Sequence, residues 1–315
     1  MMMANKIINI IAFSVAILAI AFQLLPSFIK KIHLTSNTKN AYVLVDFNNC
    51  FLEDFGRLPV PGSKNGYDKA VEFLRENGNS LDKVIVTSDS HPASGKHISF
   101  NTWYFYEDNT HPEPYTIVTY EDFLSGKLIS YYQIETEFYL QKVGSIMVYP
   151  PHCIKGTKDQ LIYEPLQEAL NDWEVATGKK VTYVSKGESM FTDELSAFEP
   201  EVKYNKYYDF KTLYRNNEEF QSSIFSLKTD DSYNYELFNT LRDVKNIFVS
   251  GIVRSICVKK TIESYVDRRS NLFNLNSKYQ KFILLSSSMP ELPGNEQAGI
   301  EFFEKMKSLN STIVI

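Results

Sequence analysis

The feature that most constrains the fold of this chain is a series of short, mostly apolar runs that alternate with longer amphipathic stretches. Such runs are typical of parallel strands, because helices cover both faces of a parallel sheet. We therefore predict an α/β fold with three α/β/α layers and a mostly parallel central sheet. The predicted strands are 42–46, 84–89, 181–186, 247–249, 282–285 and 312–315, and the predicted helices are 67–76, 160–176, 258–268 and 296–309.

Reactive side chains follow four of these strands at or just past their C-terminal ends. They are an acid, a second acid, an amine and a thiol: Asp46, Asp89, Lys186 and Cys257. In open α/β sheets, ligands bind beyond the carboxyl ends of the strands. We therefore expect these four groups, which are distant in sequence, to lie together at one edge of the sheet.

The thiol of Cys257 is the candidate nucleophile. It follows a predicted buried strand that closes at Gly251, and Ser255 is a plausible N-cap for the helix that comes next. Backbone N–H groups and the positive end of a helix dipole would lower the pKa of a thiol in that first turn. The alternative is that Cys257 is a small buried apolar residue, as most free cysteines are.

Histidines and a carboxylate form a candidate metal site. Asp89 and His91 are two residues apart at a strand end, so both can face one ion, and His97 follows six residues later. His152 lies in a loop that two prolines stiffen. Mixed Asp and His ligands suit Zn²⁺, Fe²⁺ or Mn²⁺. The alternative is ordinary loop histidines, which is how we interpret His111.

The N-terminal segment 1–31 contains an apolar run at 7–25 that is just long enough to cross a bilayer as a hydrophobic helix. We predict a membrane anchor there, followed by a linker at 32–40 and one large domain at 41–315. The alternative is a signal peptide cleaved near 19–21, which would leave a secreted or lumenal protein. Positive charge flanks the run on both sides, so the orientation stays open.

The composition excludes several classes of protein. The net charge is −5 and no basic stripe is present, so nucleic acid is not an expected partner. Three cysteines are too few for a disulfide framework and leave at least one thiol free. Polar segments near 101–147 and 199–243 interrupt the strand–helix alternation, and we interpret both as insertions, with a helix expected near 209–220 in the second.

Five sequence blocks carry a resemblance to a known family. In chain order they are 45–51 with 58–62, 89–92 with 97–100, 149–157, 186–187 with 196–198, and 251–253 with 257–261. Together they resemble the isochorismatase-like cysteine hydrolases over residues 41–315, and within them the nicotinamidases of eukaryotic type. The resemblance implies the isochorismatase-like hydrolase fold.

The resemblance also implies roles for named residues. The implied catalytic triad is Asp46, Lys186 and Cys257, and the implied metal ligands are Asp89, His91 and His152, with His97 as a direct or water-mediated fourth. Backbone N–H groups of Val253 and Cys257 would form the oxyanion hole, with a cis peptide between Ile252 and Val253. Phe51 and Tyr149 would stack on the substrate ring, and the large, charged Arg254 stands beside this predicted pocket.

The activity that the resemblance implies is hydrolysis of nicotinamide to nicotinate and ammonia through a Cys thioester, a step of pyridine nucleotide salvage. One divalent ion, most simply Zn²⁺ with Fe²⁺ or Mn²⁺ as alternatives, would orient the pyridine ring. Two other functions are kept open: a related cysteine hydrolase acting on another small amide, and a membrane-tethered binding domain without catalysis. The oligomeric state is also open.

Overall fold

The computed structural model describes residues 38–93, 102–189, 191–202, 233–273, 280–309 and 312–314. Within these residues, no helix is both long and apolar enough to cross a membrane. The predicted anchor at 7–25 lies outside them, so the membrane segment stays a prediction.

A six-stranded sheet forms the centre of the domain, and every pairing in it is parallel. Its strands are Asn40–Val45 (β1), Lys83–Asp89 (β2), Thr182–Lys186 (β7), Asn246–Gly251 (β8), Lys281–Leu285 (β9) and Thr312–Val314 (β10). Their spatial order is β10-β9-β8-β1-β2-β7. All six predicted strands are therefore confirmed, and so is the α/β class.

The strand order places the reactive residues next to one another. The chain runs outward from β1 through β2 to β7, then returns to the other side of β1 with β8. The order therefore reverses between β1 and β8, which is where ligands bind in open α/β sheets. Asp46 follows β1, and the turn that carries Cys257 follows β8. The register pairs Asp89 of β2 with Lys186 of β7.

Helices cover both faces of the sheet, as the sequence predicts. On one face the phenol of Tyr42 reaches the Ala70 carbonyl and its ring contacts Phe73 of the first helix. On the other face Val43 and Val249 pack with residues of the last two helices. The helices are Ser63–Asn77 (α1), Tyr120–Leu124 (α2), Gln133–Val143 (α3), Glu164–Thr177 (α4), Tyr235–Leu241 (α5), Lys259–Phe273 (α6) and Glu296–Ser308 (α7).

Local sequence explains the bounds of α4. Proline in its first turn has the φ angle of a helix and lacks an N–H that would be unpaired there. Buried residues then recur with helical spacing: Leu166, Ala169, Leu170 and Trp173. The helix ends at Gly178, which has a left-handed φ of 69°.

The first insertion has secondary structure of its own and packs on an apolar cluster that it shares with Phe191 and Val202. It contains two antiparallel strand pairs, Trp103–Phe105 (β3) with Leu128–Ser130 (β5), and Ile117–Thr119 (β4) with Ser145–Met147 (β6). A buried apolar cluster around Trp103 holds them together, and the half-buried Tyr149 packs against it. The insertion is thus a folded subregion that supports one wall of the candidate site.

The structure corrects the predicted start of α6. The chain from Arg254 to Val258 forms a wider, π-type turn, and the α-helix begins only at Lys259. The side chain of Ser255 therefore lies inside this turn and does not cap a helix. Of the second insertion, residues 203–232 lie outside the described residues, and with them the helix expected near 209–220.

Candidate active site

Asp46 and Lys186 form a buried ion pair at the carboxyl edge of the sheet. Asp46 Oδ2 lies 2.8 Å from Lys186 Nζ. The other oxygen, Oδ1, accepts a hydrogen bond of 2.6 Å from the hydroxyl of Thr87 on β2. The backbone of Asp46 has a left-handed φ of 58°, where the chain leaves β1. Neighbouring strands thus fix both the position and the hydrogen bonding of this carboxylate.

The ammonium group of Lys186 joins the Asp46 carboxylate, the Cys257 thiol and the carboxylate of Asp89. Besides Asp46, its Nζ lies 3.1 Å from Asp89 Oδ1 and 3.6 Å from Cys257 Sγ. All four side chains are buried. The structure therefore brings together the four reactive groups that follow the predicted strands.

Burial and charge act in opposite directions on these groups. Burial alone would lower the pKa of Lys186, but Asp46 and Asp89 raise it well above its ordinary value. Burial raises the pKa of Asp46, and the lysine opposes that rise. Burial would also raise the pKa of Asp89, but the neighbouring His91 and Lys186 hold it well below its usual range. The ammonium form of Lys186 is therefore strongly favoured here.

The thiol of Cys257 differs from the sequence-based expectation. Burial raises its pKa well above the ordinary value, because the negative charges of Asp46 and Asp89 add to the effect of desolvation and outweigh Lys186. The predicted lowering by a helix N-terminus is wrong, since the thiol sits in a buried turn rather than in an exposed first helical turn. The thiolate thus depends on Lys186 and on a proton acceptor close by.

Asp89, His91 and His152 form a buried cluster whose ligand atoms all lie within 4.8 Å of one another. Asp89 Oδ2 is 2.9 Å from His91 Nε2 and 3.6 Å from His152 Nε2, and the two Nε2 atoms are 3.3 Å apart. The Nδ1 atoms donate instead to backbone carbonyls, of Gly187 at 2.9 Å and of Pro150 at 2.8 Å. This fixes tautomers in which both Nε2 lone pairs face the carboxylate.

That donor set fits a divalent metal. Two imidazole lone pairs and one carboxylate, all buried, converge on the same point, which is the chemistry of a zinc site that keeps positions open. The remaining predicted ligand, His97, lies outside the described residues. His111, which we interpreted as a loop residue, hydrogen-bonds through Nδ1 to the Trp103 carbonyl within the first insertion.

Gly187 allows the strand end to approach this cluster. Its φ is 78°, and an added Cβ would lie 2.7 Å from Asp89 Oδ1 and 2.7 Å from His91 Nδ1. Only a residue without a side chain fits there. Sequence reasoning had matched Gly187 to a motif without assigning it this role.

A small cavity extends from the Cys257 thiol to Asp89 and His152 of the candidate metal site. Phe51 and Tyr149, the two predicted ring contacts, both line it. Their ring centroids lie 5.8 Å and 5.9 Å from that of His152. Other lining side chains are Leu58, Asp89, His152, Lys186, Asp193, Leu195, Val253, Ile256, Cys257 and Leu292. Apolar walls around a few charged groups are typical of a small-molecule site.

The two residues predicted to supply the oxyanion donors, Val253 and Cys257, lie at the start of and within the turn that follows β8. The peptide between Ile252 and Val253 is cis, as the resemblance implies. The Val253 N–H has no hydrogen-bond acceptor among the described residues, and both Val253 and Cys257 line the cavity. Arg254 does not line it: its guanidinium donates to the Met289 carbonyl and lies over the Phe303 ring.

A disulfide joins Cys50 and Cys153, whose Cα atoms are 5.2 Å apart. Cys50 precedes the wall residue Phe51, and Cys153 follows the predicted ligand His152. The bond therefore ties the turn after β1 to the loop that holds the second histidine. Cys257 remains the free thiol of the chain.

Sequence reasoning missed Thr87, Asp193, Leu195 and Leu292 as site residues. Thr87 could have been found, because it is two residues before Asp89 on β2 and so shares its face of the strand. Asp193, Leu195 and Leu292 come from loops, where no periodic signal indicates which side chains enter a cavity.

Comparisons of the sequence with protein-family models and with curated proteins give no match. Solved structures do resemble the chain. A nicotinamidase/pyrazinamidase from Acinetobacter baumanii matches with a TM-score of 0.52 and 17% identity, over 89% of this chain and 97% of that one. The yeast nicotinamidase bound to the inhibitor nicotinaldehyde matches with a TM-score of 0.54 and 17% identity, over 87% and 99%.

A pyrazinamidase from Pyrococcus horikoshii, solved in complex with zinc, matches with a TM-score of 0.50 and 18% identity, over 88% of this chain and 98% of that one. At such low identity these likenesses establish the fold. The chain thus has the fold of these structures, and the predicted α/β/α architecture of the domain with its parallel central sheet is confirmed. Within that fold, the structures it resembles are those of nicotinamidases and pyrazinamidases.

Proposed function

We propose that this protein is a cysteine amidohydrolase that converts nicotinamide and water to nicotinate and ammonia. The observation that carries the proposal is the position of Lys186 Nζ, which lies within 3.6 Å of the Cys257 sulfur and contacts both Asp46 and Asp89. An acid, an amine and a thiol from three separate strand ends are thereby joined in one buried cluster. If this cluster only stabilised the fold, the ion pairs would be enough, and a free thiol beside them would not be needed.

The chemistry follows from these contacts. Asp46 takes the thiol proton, a task suited to a carboxylate whose pKa is raised by burial. The thiolate, held beside the Lys186 ammonium, attacks the amide carbonyl and forms a tetrahedral intermediate. The proton on Asp46 then passes to the leaving nitrogen, the C–N bond breaks, and ammonia leaves a thioester. Water hydrolyses the thioester, which releases the carboxylate product and regenerates the thiol.

Backbone donors would stabilise the intermediate. The N–H groups of Val253 and Cys257 are the candidates, and one such donor typically lowers the activation barrier by about 3–4 kcal/mol. Preorganised donors act strongly in a buried site because little water competes with them.

Asp89, His91 and His152 would hold one divalent metal, with zinc the simplest choice for this ligand set. When bound, the metal would supply a Lewis acid that grips a ring nitrogen and so orients the substrate. The Phe51 and Tyr149 rings flank His152 and would hold an aromatic ring against the cluster. This combination favours a pyridine amide over an aliphatic amide.

Ammonia release from the segment 35–315 tests the proposal, with nicotinamide, pyrazinamide and benzamide as substrates. Benzamide is the matched control because it has the same shape but no ring nitrogen. We expect turnover of the first two, little turnover of benzamide, and loss of the preference after chelation. Equal turnover of all three would indicate another small amide as substrate, and no turnover of any amide would indicate the non-catalytic binding domain.

We also propose that the domain faces an oxidising compartment, either on the membrane anchor at 7–25 or free after signal cleavage. The Cys50–Cys153 bond supports this, because disulfides persist mainly in such compartments. The test is alkylation of the full-length protein in intact cells with a membrane-impermeant maleimide, before and after reduction. Two extra labelled thiols that appear only after reduction are expected. No labelled thiol in intact cells, before or after reduction with a membrane-impermeant reductant, would contradict the proposal.

A further inference from the structure

The turn that carries the nucleophile is held by a carboxylate outside the predicted triad. Glu291 Oε2 accepts a hydrogen bond of 3.0 Å from the backbone N–H of Ser255, and Oε1 accepts one of 2.8 Å from the Ser255 hydroxyl. Ser255 is two residues before Cys257 and lies in the same turn. Both oxygens of one side chain thus anchor one residue of that turn.

The preceding residue of the turn is bound to the same segment. The guanidinium of Arg254 donates to the Met289 carbonyl at 3.1 and 2.8 Å, and its backbone N–H donates to the Pro290 carbonyl at 3.3 Å. Residues 289–291 therefore hold the start of the turn through backbone and side chain together.

Within the turn, local backbone bonds converge on one acceptor. The N–H groups of Ile256 and Val258 both donate to the Val253 carbonyl, at 3.1 and 3.2 Å. Contacts with other segments then help to set the orientation of the turn. Glu291 makes two of those contacts and is the charged acceptor among them, and hydrogen bonds to charged groups are stronger than those to neutral groups.

The surroundings of Glu291 favour this single arrangement. The carboxylate is half-buried, and burial raises its pKa. Its Oε1 also accepts from the N–H of Leu292, which lines the cavity. Gly299 of α7 permits the close approach, because an added Cβ would lie 2.6 Å from Glu291 Oε2 and 3.0 Å from Arg254 Cδ.

We propose that Glu291 is a positioning residue that sets where the Cys257 sulfur and N–H lie relative to Lys186. The inference rests on the proposed amidase function for its effect on turnover. Its effect on the thiol does not, because the 3.6 Å contact between Lys186 and Cys257 exists without substrate. Loss of Glu291 lets the turn rotate, which separates the sulfur from the ammonium and the oxyanion donor from the carbonyl.

The experiment compares Glu291→Ala with Glu291→Gln and with the control Glu296→Ala, all in the full-length protein. Glutamine keeps an oxygen for the Ser255 N–H, and its amide can donate to the Ser255 hydroxyl. Glu296 also accepts a backbone N–H, that of Gly294, but makes no contact with the turn that carries the nucleophile. The measurements are kcat and KM with nicotinamide, and the pH midpoint of iodoacetamide alkylation.

We expect Glu291→Ala to lower kcat by about 10–100-fold, since a shift of about 1 Å in a reacting group can reduce the rate 100-fold. KM should change little, because Phe51, Tyr149 and His152 lie on other segments. The alkylation midpoint of Cys257 should rise by about one pH unit as the sulfur leaves the ammonium. Glu291→Gln should recover most of both effects, and Glu296→Ala should match the parent protein.

Equal kcat values and alkylation midpoints for Glu291→Ala and Glu296→Ala would overturn the proposal. A Glu291→Gln variant as impaired as Glu291→Ala would also overturn it, because the charge of Glu291 rather than its hydrogen bonds would then be responsible. If Glu291→Ala fails to fold, Ser255→Ala removes only the hydroxyl bond; a smaller fall in kcat at constant KM supports the proposal, and none overturns it. If no amide is turned over, the proposed function fails, yet the alkylation midpoints still decide the role of Glu291.

Discussion

The two halves of the candidate site are positioned in different ways. The sheet half contains Asp46 and Lys186, and parallel pairing of their strands fixes where these side chains lie. The loop half contains His152, which lies in a loop joined to the rest by the Cys50–Cys153 bond and by backbone hydrogen bonds to His91. Asp89 belongs to both halves, with one oxygen toward Lys186 and the other toward the histidines.

Under the proposed function, this difference predicts that the sheet half carries the reaction and that the loop half orients the substrate. A proton transfer or a nucleophilic attack needs groups held to fractions of an ångström, and the hydrogen-bonded centre of a sheet provides that rigidity. A substrate has to enter and leave, and a loop with aromatic walls suits that task. Damage to the sheet half should therefore reduce kcat, and damage to the loop half should raise KM.

The largest effect is expected from Cys257→Ala. Because the alanine variant has no nucleophile, turnover should fall by about 10⁴-fold or more. The loop half should be unaffected, so metal content measured by mass spectrometry should equal that of the parent protein. Turnover that persists in this variant would contradict a thioester mechanism.

His152→Ala tests the loop half. We expect metal affinity to fall by more than the roughly 10–100-fold typical of losing an outer-shell partner, because a direct ligand is lost. KM for nicotinamide should rise much more than kcat falls. The control is alkylation of Cys257, whose pH midpoint should change little in the metal-free protein. A kcat loss as large as that of Cys257→Ala would erase the distinction between the halves.

Lys186→Gln and Asp46→Asn shift the thiol in opposite directions. The ammonium lowers the pKa of Cys257, so its removal should move the alkylation midpoint up by about 1–3 pH units. Asp46 raises that pKa, so its neutralisation should move the midpoint down. Lys186→Gln should also reduce the free energy of unfolding by about 3–5 kcal/mol, because two buried carboxylates lose their counter-charge. Shifts of the same sign would contradict the assigned electrostatics.

Gly187→Ala is expected to have the smallest effect. Its added Cβ would press on Asp89, the residue that belongs to both halves. Gly178→Ala is the matched control, because both glycines have left-handed φ angles but nothing lies within 4 Å of a Cβ at position 178. The backbone strain should cost each variant about 1–2 kcal/mol of unfolding free energy. Gly187→Ala should lose more, and should also bind metal less tightly. Identical behaviour of the two would show that the contacts with Asp89 and His91 are relaxed easily.

Much of the sheet half could be predicted from the sequence, because an apolar run and the polar residue at its end are both local signals. Asp46, Asp89 and Lys186 were found in this way, and the parallel sheet brings them together. The spatial order of the strands was not available from such signals, because it depends on which pairings bury the most apolar surface across the whole domain.

The direction of the shift in the pKa of Cys257 could not be predicted correctly. A helix start was inferred where the chain forms a wider turn, and the degree of burial is a property of the assembled cavity. The Cys50–Cys153 pairing and the contact of Glu291 with Ser255 were missed for a related reason: each joins residues far apart in sequence through loops that carry no periodic pattern.

The bond between Cys50 and Cys153 makes the chain between them a covalent ring that encloses α1, β2 and the whole first insertion. A protease that cuts once in that insertion, near exposed Tyr106 or Tyr131, would open the ring without releasing a piece. The nicked protein should run as a single species on a gel without reductant and as two with it. Digestion of this kind would therefore leave the two walls of the cavity attached to each other.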